Sequence, residues 1–399
     1  MTKTTQYKNT SIGPIPTEWE VKKFIEFSKF YSGGTPLTSK PQYYGGEIPF
    51  IKSGEIYYNK TEQFLSEEGL NNSSAKMVSK GDLLYALYGA NSGEVAISQI
   101  DGAINQAILC INQNKNQAET IYLYNYLVLQ KDIIIKKYLQ GGQGNLSADI
   151  IKKLQIPLPP LPEQQKIAEV LSTCDKAIQE TDAIIKKLQD RNKALAFSLL
   201  TGKKRVKGFE DKEFIKSLAN EVFKSVSIKN NPEDSVLLSA TQEFGMIPRD
   251  MIETRVTMPS GSLKTYKLVE KGDFVISLRS FQGGIEYSEY TGLVSPAYTV
   301  LKSINPINDD FYKYYFKSED LIGRLSVAVI GIRDGKNISY DDFSTIVLPN
   351  PSLEEQNAIA AILNIANQEL KQYQEKLTQI KLQKKGLMQQ LLTGKVRTV

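Results

Sequence analysis

The residues able to do recognition chemistry lie in polar, glycine-rich stretches with aromatics beside them. In the first half these are Ser32-Gly33-Gly34-Thr35-Pro36, Tyr43-Tyr44-Gly45-Gly46, Lys52-Ser53-Gly54-Glu55, Tyr88-Gly89-Ala90-Asn91-Ser92-Gly93 and Gly141-Gly142-Gln143-Gly144-Asn145. In the second half they are Arg279-Ser280-Phe281-Gln282-Gly283-Gly284 and Arg333-Asp334-Gly335-Lys336-Asn337. Glycine lets backbone amides approach phosphates. Arginine pairs with guanine, and asparagine or glutamine with adenine, by paired hydrogen bonds in the major groove. The candidate DNA-contacting residues are therefore Lys52, Ser53, Tyr88, Asn91, Ser92, Gln143, Asn145, Arg279, Ser280, Gln282, Arg333, Lys336 and Asn337. Taken singly, each stretch reads as an ordinary turn. Together, on two dissimilar halves, they suit two readers of different specificity.

Catalysis finds little to work with. The chain has no histidine and two cysteines, Cys110 and Cys174. That removes His-based nucleophile systems, His general bases, Cys-rich zinc sites and a disulfide framework. Thr201-Gly202-Lys203 lacks the upstream glycines of a phosphate-binding loop. No Asp/Asn-Pro-Pro-aromatic tetrad and no GxGxxG after a strand occurs. Glu20-Val21-Lys22 and Glu369-Leu370-Lys371 carry a nuclease-like Glu-x-Lys, without a suitably placed Pro-Asp partner. No catalytic residue, metal site or cofactor is expected in this chain.

Composition agrees with a soluble protein of two or three domains: 399 residues, 41% hydrophobic, 23% charged. A net charge of +5 permits phosphate contacts without proving them. No apolar run reaches membrane-spanning length, and the polar start lacks a signal-peptide core, so a cytoplasmic location is expected.

The elements that must position the loops emerge from an internal repeat. Leu161-Pro162-Glu163-Gln164-Gln165-Lys166-Ile167-Ala168 superposes on Leu353-Glu354-Glu355-Gln356-Asn357-Ala358-Ile359-Ala360, 192 positions on. Without a gap, the same offset lays Leu199-Leu200-Thr201-Gly202-Lys203 on Leu391-Leu392-Thr393-Gly394-Lys395, and Arg205 on Arg397. Backwards, it pairs Pro157 and Pro159 with Pro349 and Pro351, and Asn145, Ser147 and Asp149 with Asn337, Ser339 and Asp341. Asn145 and Asn337 could equally be N-caps of a common helix. Further upstream only Lys80-Gly81-Asp82 echoes Lys271-Gly272-Asp273; the rest is dissimilar.

Each shared segment predicts a long helix. Mostly apolar residues alternate spacings of four and three: Ile167, Leu171, Cys174, Ile178, Thr181, Ile185, Leu188, Asn192, Leu195 and Leu199, then Ile359, Leu363, Ala366, Leu370, Tyr373, Leu377, Ile380, Lys384, Leu387 and Leu391. This is a coiled-coil seam. Prolines precede each helix, a Glu lies near its start, and Gly202 or Gly394 ends it. About 38 residues at about 1.5 Å each make a rod of roughly 55 Å. The seam is interrupted at the equivalent positions Asn192 and Lys384, where polar residues set register or mark a solvated end. The simplest arrangement packs the two helices on each other, antiparallel; the alternative is dimerisation with another molecule.

The expected organisation is a variable module at 1–155, a conserved helical region at 156–206, a second variable module at 207–347 and a second conserved region at 348–399. Short apolar runs such as Asp82–Tyr88, Ala107–Ile111, Asp273–Leu278 and Tyr298–Leu301 read as strands, with one helix per module near 121–139 and 310–329. The fold class is α+β: two pseudo-twofold-related α/β modules separated by two long antiparallel coiled-coil helices.

At these residues the chain resembles the specificity subunits of type I restriction–modification enzymes. The resemblance covers nearly the whole length. It rests on Ser11-Ile12-Gly13-Pro14-Ile15-Pro16-Thr17-Glu18-Trp19, Lys80-Gly81-Asp82-Leu83-Leu84, the run from Ile156 to Ala168, and the twice-used Leu-Leu-Thr-Gly-Lys helix end. Ser352 and Glu354 replace two prolines in the second copy, and Trp19 has no clear counterpart there. The resemblance implies a non-catalytic subunit with two target-recognition domains. Each would read one half of a bipartite, asymmetric site in double-stranded DNA. The helices would set the spacer and dock two modification (methyltransferase) subunits, joined by restriction (motor–nuclease) subunits. S-adenosylmethionine, ATP and Mg would belong to those partners, which methylate adenine N6. The competing reading is a coiled-coil scaffold with two ligand-binding modules and no DNA role.

Overall fold

A computed structural model of the chain describes residues 5–138, 145–229, 232, 235–252, 263–278, 280–329 and 338–398. Two compact units emerge: residues 1–182 with 375–399, and residues 183–374.

The first unit runs β1 (Tyr7–Thr10), β2 (Gly13–Pro16), β3 (Glu20–Lys23), β4 (Ser28–Ser32), β5 (Tyr44–Ile51), β6 (Phe64–Leu65), α1 (Glu67–Asn71), β7 (Lys76–Val78), β8 (Leu83–Ala86), β9 (Val95–Ile97), β10 (Gly102–Ile104), β11 (Ile108–Gln113), α2 (Thr120–Tyr138), α3 (Ala148–Lys152) and β12 (Gln155–Leu158). It then enters α4 (Leu161–Leu200). The second unit holds β13 (Lys216–Leu218), α5 (Ala219–Val222), β14 (Phe223–Val226), β15 (Leu238–Thr241), β16 (Gly245–Pro248), β17 (Lys267–Val269), β18 (Phe274–Ile276), α6 (Ser280–Gly283), β19 (Glu286–Tyr287), β20 (Gly292–Val294), β21 (Thr299–Ser303), α7 (Asp309–Phe316), α8 (Glu319–Val329), α9 (Tyr340–Ser344) and β22 (Val347–Pro349). The final helix is α10 (Leu353–Leu391).

The segments upstream of the helices, dissimilar in sequence, share one topology. A four-stranded antiparallel sheet orders β4-β11-β8-β9 in the first unit and β14-β21-β18-β19 in the second. Two further antiparallel pairs repeat, β3 with β12 and β13 with β22, and β7 with β10 and β17 with β20. The chain between β4 and β7 and between β14 and β17 contributes an equivalent antiparallel pair, β5–β6 and β15–β16, joined in parallel to β10 at Phe50 and Ile51 and to β20 at Leu237. What differs is the connection inside that pair, 52–63 against 242–244, and α1, which among the described residues occurs only in the first unit.

The apolar runs of the central strands follow from burial on both faces. Leu83, Tyr85, Leu109 and Ile111 enter one core with α2 and the helix residues Ile167, Leu171, Met388 and Leu391. Their neighbours Leu84, Ala86, Ile108 and Cys110 enter another with Ile51, Ile56 and Ile104. In the second unit Phe274 and Leu301 face Phe311, Tyr312, Leu199 and Leu363, while Val275 and Val300 face Leu238, Met246 and Val294. Phe223 anchors the helix-side core with Phe274, Tyr312 and Phe316 rings at 5.0–5.6 Å, a favourable edge or tilted distance.

Two expectations need correction. The single helix expected over 310–329 is two helices, because Ser318 restarts the chain: its carbonyl accepts from Ile322 N and its hydroxyl from Leu321 N. Asn145 is not an N-cap. Ser147 caps α3 by accepting from Ile150 N, and Ser339 caps α9 by accepting from Asp342 N; Asn337 lies outside the described residues.

The two long helices pack on each other within the chain, antiparallel in each unit. In the first, Asp175 of α4 meets Lys384 of α10 at 2.6 Å. In the second, Asn192 donates to the Ala366 carbonyl at 2.8 Å and to Asn367 at 3.2 Å. Arg191 adds an ion pair to Glu369 at 2.7 Å. The polar interruptions of the seam are thus cross-helix contacts. Among the apolar seam positions, Ile167, Leu171, Ile185, Leu188, Ile359 and Leu363 are buried; Ile178, Leu195, Leu370, Leu377, Ile380 and Leu387 are half-buried. Both helices end on left-handed glycines, Gly202 (φ +74°) and Gly394 (φ +72°).

Candidate nucleic-acid interface

Three loops of the first unit converge at one end of its central sheet. The turn after β5 is wound around Glu55, whose carboxylate accepts from Lys52 N at 3.0 Å and Glu62 N at 2.9 Å. Lys52 and Ser53 are left partly exposed on it. A Cβ at Gly54 would lie 3.4 Å from the Asn91 amide nitrogen, so this turn abuts the loop after β8. The Leu87 carbonyl then accepts from Ser92 Oγ and from Leu146 N, both at 2.9 Å, which draws in the segment before α3. Lys52, Ser53, Tyr88, Asn91 and Asn145 are brought together in this way. Ser92 is buried, and its hydroxyl holds the loop rather than presenting an edge. Gln143 lies outside the described residues.

Glu94 ties the segment after β5 to α2. It accepts from Lys131 Nζ at 2.5 Å and from the Tyr57 hydroxyl. Burial alone would raise its carboxyl, but the bonds from Lys131 and Tyr57 outweigh burial and hold it below the usual carboxylate range.

The second unit builds the equivalent edge from the loop after β18. Ser280 is buried, its Oγ accepting from Ser277 N at 2.9 Å, so it too serves the turn. Gln282 is exposed. Gly283 has Gln242 of the β15–β16 hairpin where a Cβ would stand, at 2.6 Å. Lys317 fastens these parts: its ammonium donates to both oxygens of Glu286 at 2.6 Å and to the Gly283 carbonyl at 3.0 Å. Burial pushes the Glu286 carboxyl up and Lys317 opposes it. An open cleft lined by Thr241, Gln242, Phe244, Ser277, Leu278 and Tyr298 runs along this edge. Arg279, Arg333, Lys336 and Asn337 lie outside the described residues.

Sequence reasoning passed over Tyr57, Tyr58, Gln242 and Phe244. Gln242-Glu243-Phe244-Gly245 has the same polar, aromatic, glycine composition as the chosen loops, and that signal could have found it. It also missed the clasps at the helix ends. Arg397 grips Glu163 with Nε and Nη2, and Arg205 grips Glu355 in the same way. Trp19 donates to Glu163 at 3.0 Å and packs by Gly394. Its counterpart in the second unit is Phe214, packed by Gly202 and under the Arg205 guanidinium at 5.3 Å.

Among the described residues no cluster of His, Cys, Asp or Glu could hold a metal, and no helix is long and apolar enough to cross a membrane. One scaffold used twice, bearing two different polar edges and a helix pair, defines a two-unit recognition protein. The chain belongs to the type I restriction modification DNA specificity domain family, whose model matches residues 16–190 and 203–382. It is thus a DNA specificity subunit of a type I system, the non-catalytic part of that enzyme complex. A scaffold with no DNA role is set aside. The putative type I restriction enzyme MjaX specificity subunit of Methanocaldococcus jannaschii is 28% identical, over 98% of this chain and 96% of its own. The E. coli EcoR124I/EcoR124II specificity subunit is 26% identical over 44% of this chain and 46% of its own. The fold matches the crystal structure of the type I restriction–modification S subunit from M. genitalium with a TM-score of 0.55, 17% identity and coverage of 97% and 98%.

Proposed function

We propose that each unit reads one half of a bipartite, asymmetric duplex site, while the α4–α10 pair sets the unread spacer and docks two modification subunits. The observation that carries this reading is the repetition itself. The scaffold contacts recur in both units, yet the exposed edges differ. Lys52, Ser53, Tyr88, Asn91 and Asn145 contact one half-site, and Gln282 lies at the edge that contacts the other. Gln143, Arg279, Arg333, Lys336 and Asn337 remain candidates by sequence. Phosphate contacts from Lys and Arg release counterions, so affinity falls steeply with salt.

The chemistry belongs to the partners. Modification subunits carry S-adenosylmethionine and methylate adenine N6 after flipping the base. Restriction subunits supply the motor and nuclease with ATP and Mg.

Mapping of N6-methyladenine in host DNA, with and without this gene, tests the proposal. A bipartite motif that loses methylation on deletion supports it. Unchanged methylation, with the partner genes present and expressed, overturns it.

A further inference from the structure

Several scaffold contacts recur in both units. Gly81 and Gly272 turn at φ +96° and +99°. Asp82 and Asp273 then accept from Ser79 N and Glu270 N, at 2.8 and 2.9 Å. Gln164 and Gln356 each accept from the first backbone N–H of a helix cap, Glu119 or Asn308, and donate to Pro159 or Pro351. Tyr122 and Tyr312 donate to Pro157 and Pro349. Residues that do the same work in both units cannot distinguish two half-sites. The distinction falls on what differs, and a clear difference is the insert that joins the equivalent strand pairs, 52–63 between β5 and β6 and 242–244 between β15 and β16.

Each insert is packed against its unit's candidate loop, through Gly54 and Asn91 in the first and Gln242 and Gly283 in the second. Each also carries a strongly exposed aromatic on a braced turn. Phe244 is 65% exposed at the tip of the β15–β16 hairpin. Thr241 Oγ1 accepts from its N–H at 3.1 Å and donates to the Gly245 carbonyl at 2.9 Å. Tyr58 is 60% exposed, with its N–H on the Glu55 carbonyl at 2.9 Å. An exposed aromatic ring on a hydrogen-bonded turn offers a large apolar surface for contact. Bases offer such contact through thymine methyl groups and the faces of unstacked steps.

We infer that the inserts are the specificity-determining elements, with Tyr58 and Phe244 touching bases in different half-sites. Lys317 and Glu55 are positioning residues, acting through the turns they hold. The inference rests on the duplex-reading proposal above.

The test uses the full chain assembled with its modification subunits, and duplexes substituted in one half of its methylation motif at a time. Binding is compared at one salt concentration for the natural chain, Phe244→Ala and Tyr58→Ala. Both rings are exposed, so neither substitution removes core. Each variant is expected to lose about tenfold discrimination in one half-site only, and the two variants in opposite halves. The inference is overturned if both variants discriminate as the natural chain does, or if both relax the same half. It is equally overturned if they weaken only assembly with the modification subunits, which would make the rings a protein contact. A natural assembly that binds every duplex alike would overturn the duplex-reading proposal itself, and this inference with it.

Discussion

Arg397, near the end of the chain, holds both carboxylate oxygens of Glu163, at the start of α4, with Nε at 2.6 Å and Nη2 at 2.9 Å. Glu163 is fully buried and also accepts from Trp19. Arg205 and Glu355 repeat the clasp at 2.9 and 2.8 Å. In both cases the arginine follows the glycine that ends one long helix and grips the glutamate that opens the other.

Removing one partner strands a buried charge, which costs about 3–5 kcal/mol. Arg397→Ala should therefore destabilise the first unit by that order, and Arg205→Ala the second. Lysine at either position should restore only part, since it lacks the planar fork. Denaturant unfolding checks the magnitude, and limited proteolysis identifies the unit that opens.

Gly81 and Gly272 turn left-handed in open space, with no side-chain or backbone neighbour closer than 4.0 Å to an added Cβ. Alanine at either site meets only the backbone penalty, about 1–2 kcal/mol. The two substitutions should cost the same within error in thermal unfolding. A much larger effect at one site would show that the two turns are not equivalent.

Glu119 caps α2 by accepting from Tyr122 N at 2.6 Å, whereas the matching cap of α7 is the neutral Asn308. Burial raises the Glu119 carboxyl above its ordinary value. A raised folded-state value means its favourable contribution is complete below the unfolded value, about 4.3, and fades as pH rises through the folded one. Glu119→Asn should keep the cap, remove that pH-dependent loss and stabilise the chain near pH 7. Unfolding midpoints measured from pH 4 to 8 would show it as a flatter profile.

The Asp175–Lys384 pair is only partly shielded, with Asp175 38% exposed. A double-mutant cycle with Asp175→Asn and Lys384→Gln should return a coupling of about 0.5–1 kcal/mol that shrinks in high salt. Asn192→Leu should instead raise stability while removing the amide contacts to Ala366 and Asn367, so that the pair's register is specified less tightly. Cross-linking between introduced cysteine pairs along the seam would detect slipped registers in that variant alone.

How much could be read beforehand depended on range. The helices were legible because Ile167 to Leu199 and Ile359 to Leu391 keep a three–four spacing over many turns, and local periodicity accumulates with length. The second module's helix was misjudged because Ser318 breaks it within a pattern that stays apolar on both sides. The common scaffold was nearly invisible. Strands such as Phe274–Ile276 and Val95–Ile97 have three residues each, too few to hold a period, and double-faced burial erases the alternation they would show. Among the interface residues, Asn91 and Gln282 were chosen for their type and stand exposed or partly so. Ser92 and Ser280 have the same type but face inward, which composition does not encode.

By itself the sequence determined the duplicated plan, the helix pair and the absence of histidine chemistry, because those depend on residue identity and on neighbours a few positions away. Only the tertiary structure decided which loops share an edge, that Arg397 closes on Glu163, and that two unlike segments occupy the same place on one scaffold. Those contacts join residues tens to hundreds of positions apart. Their partners are selected by burial, hydrogen-bond geometry and the shape of the packed sheet, none of which leaves a local mark on the chain.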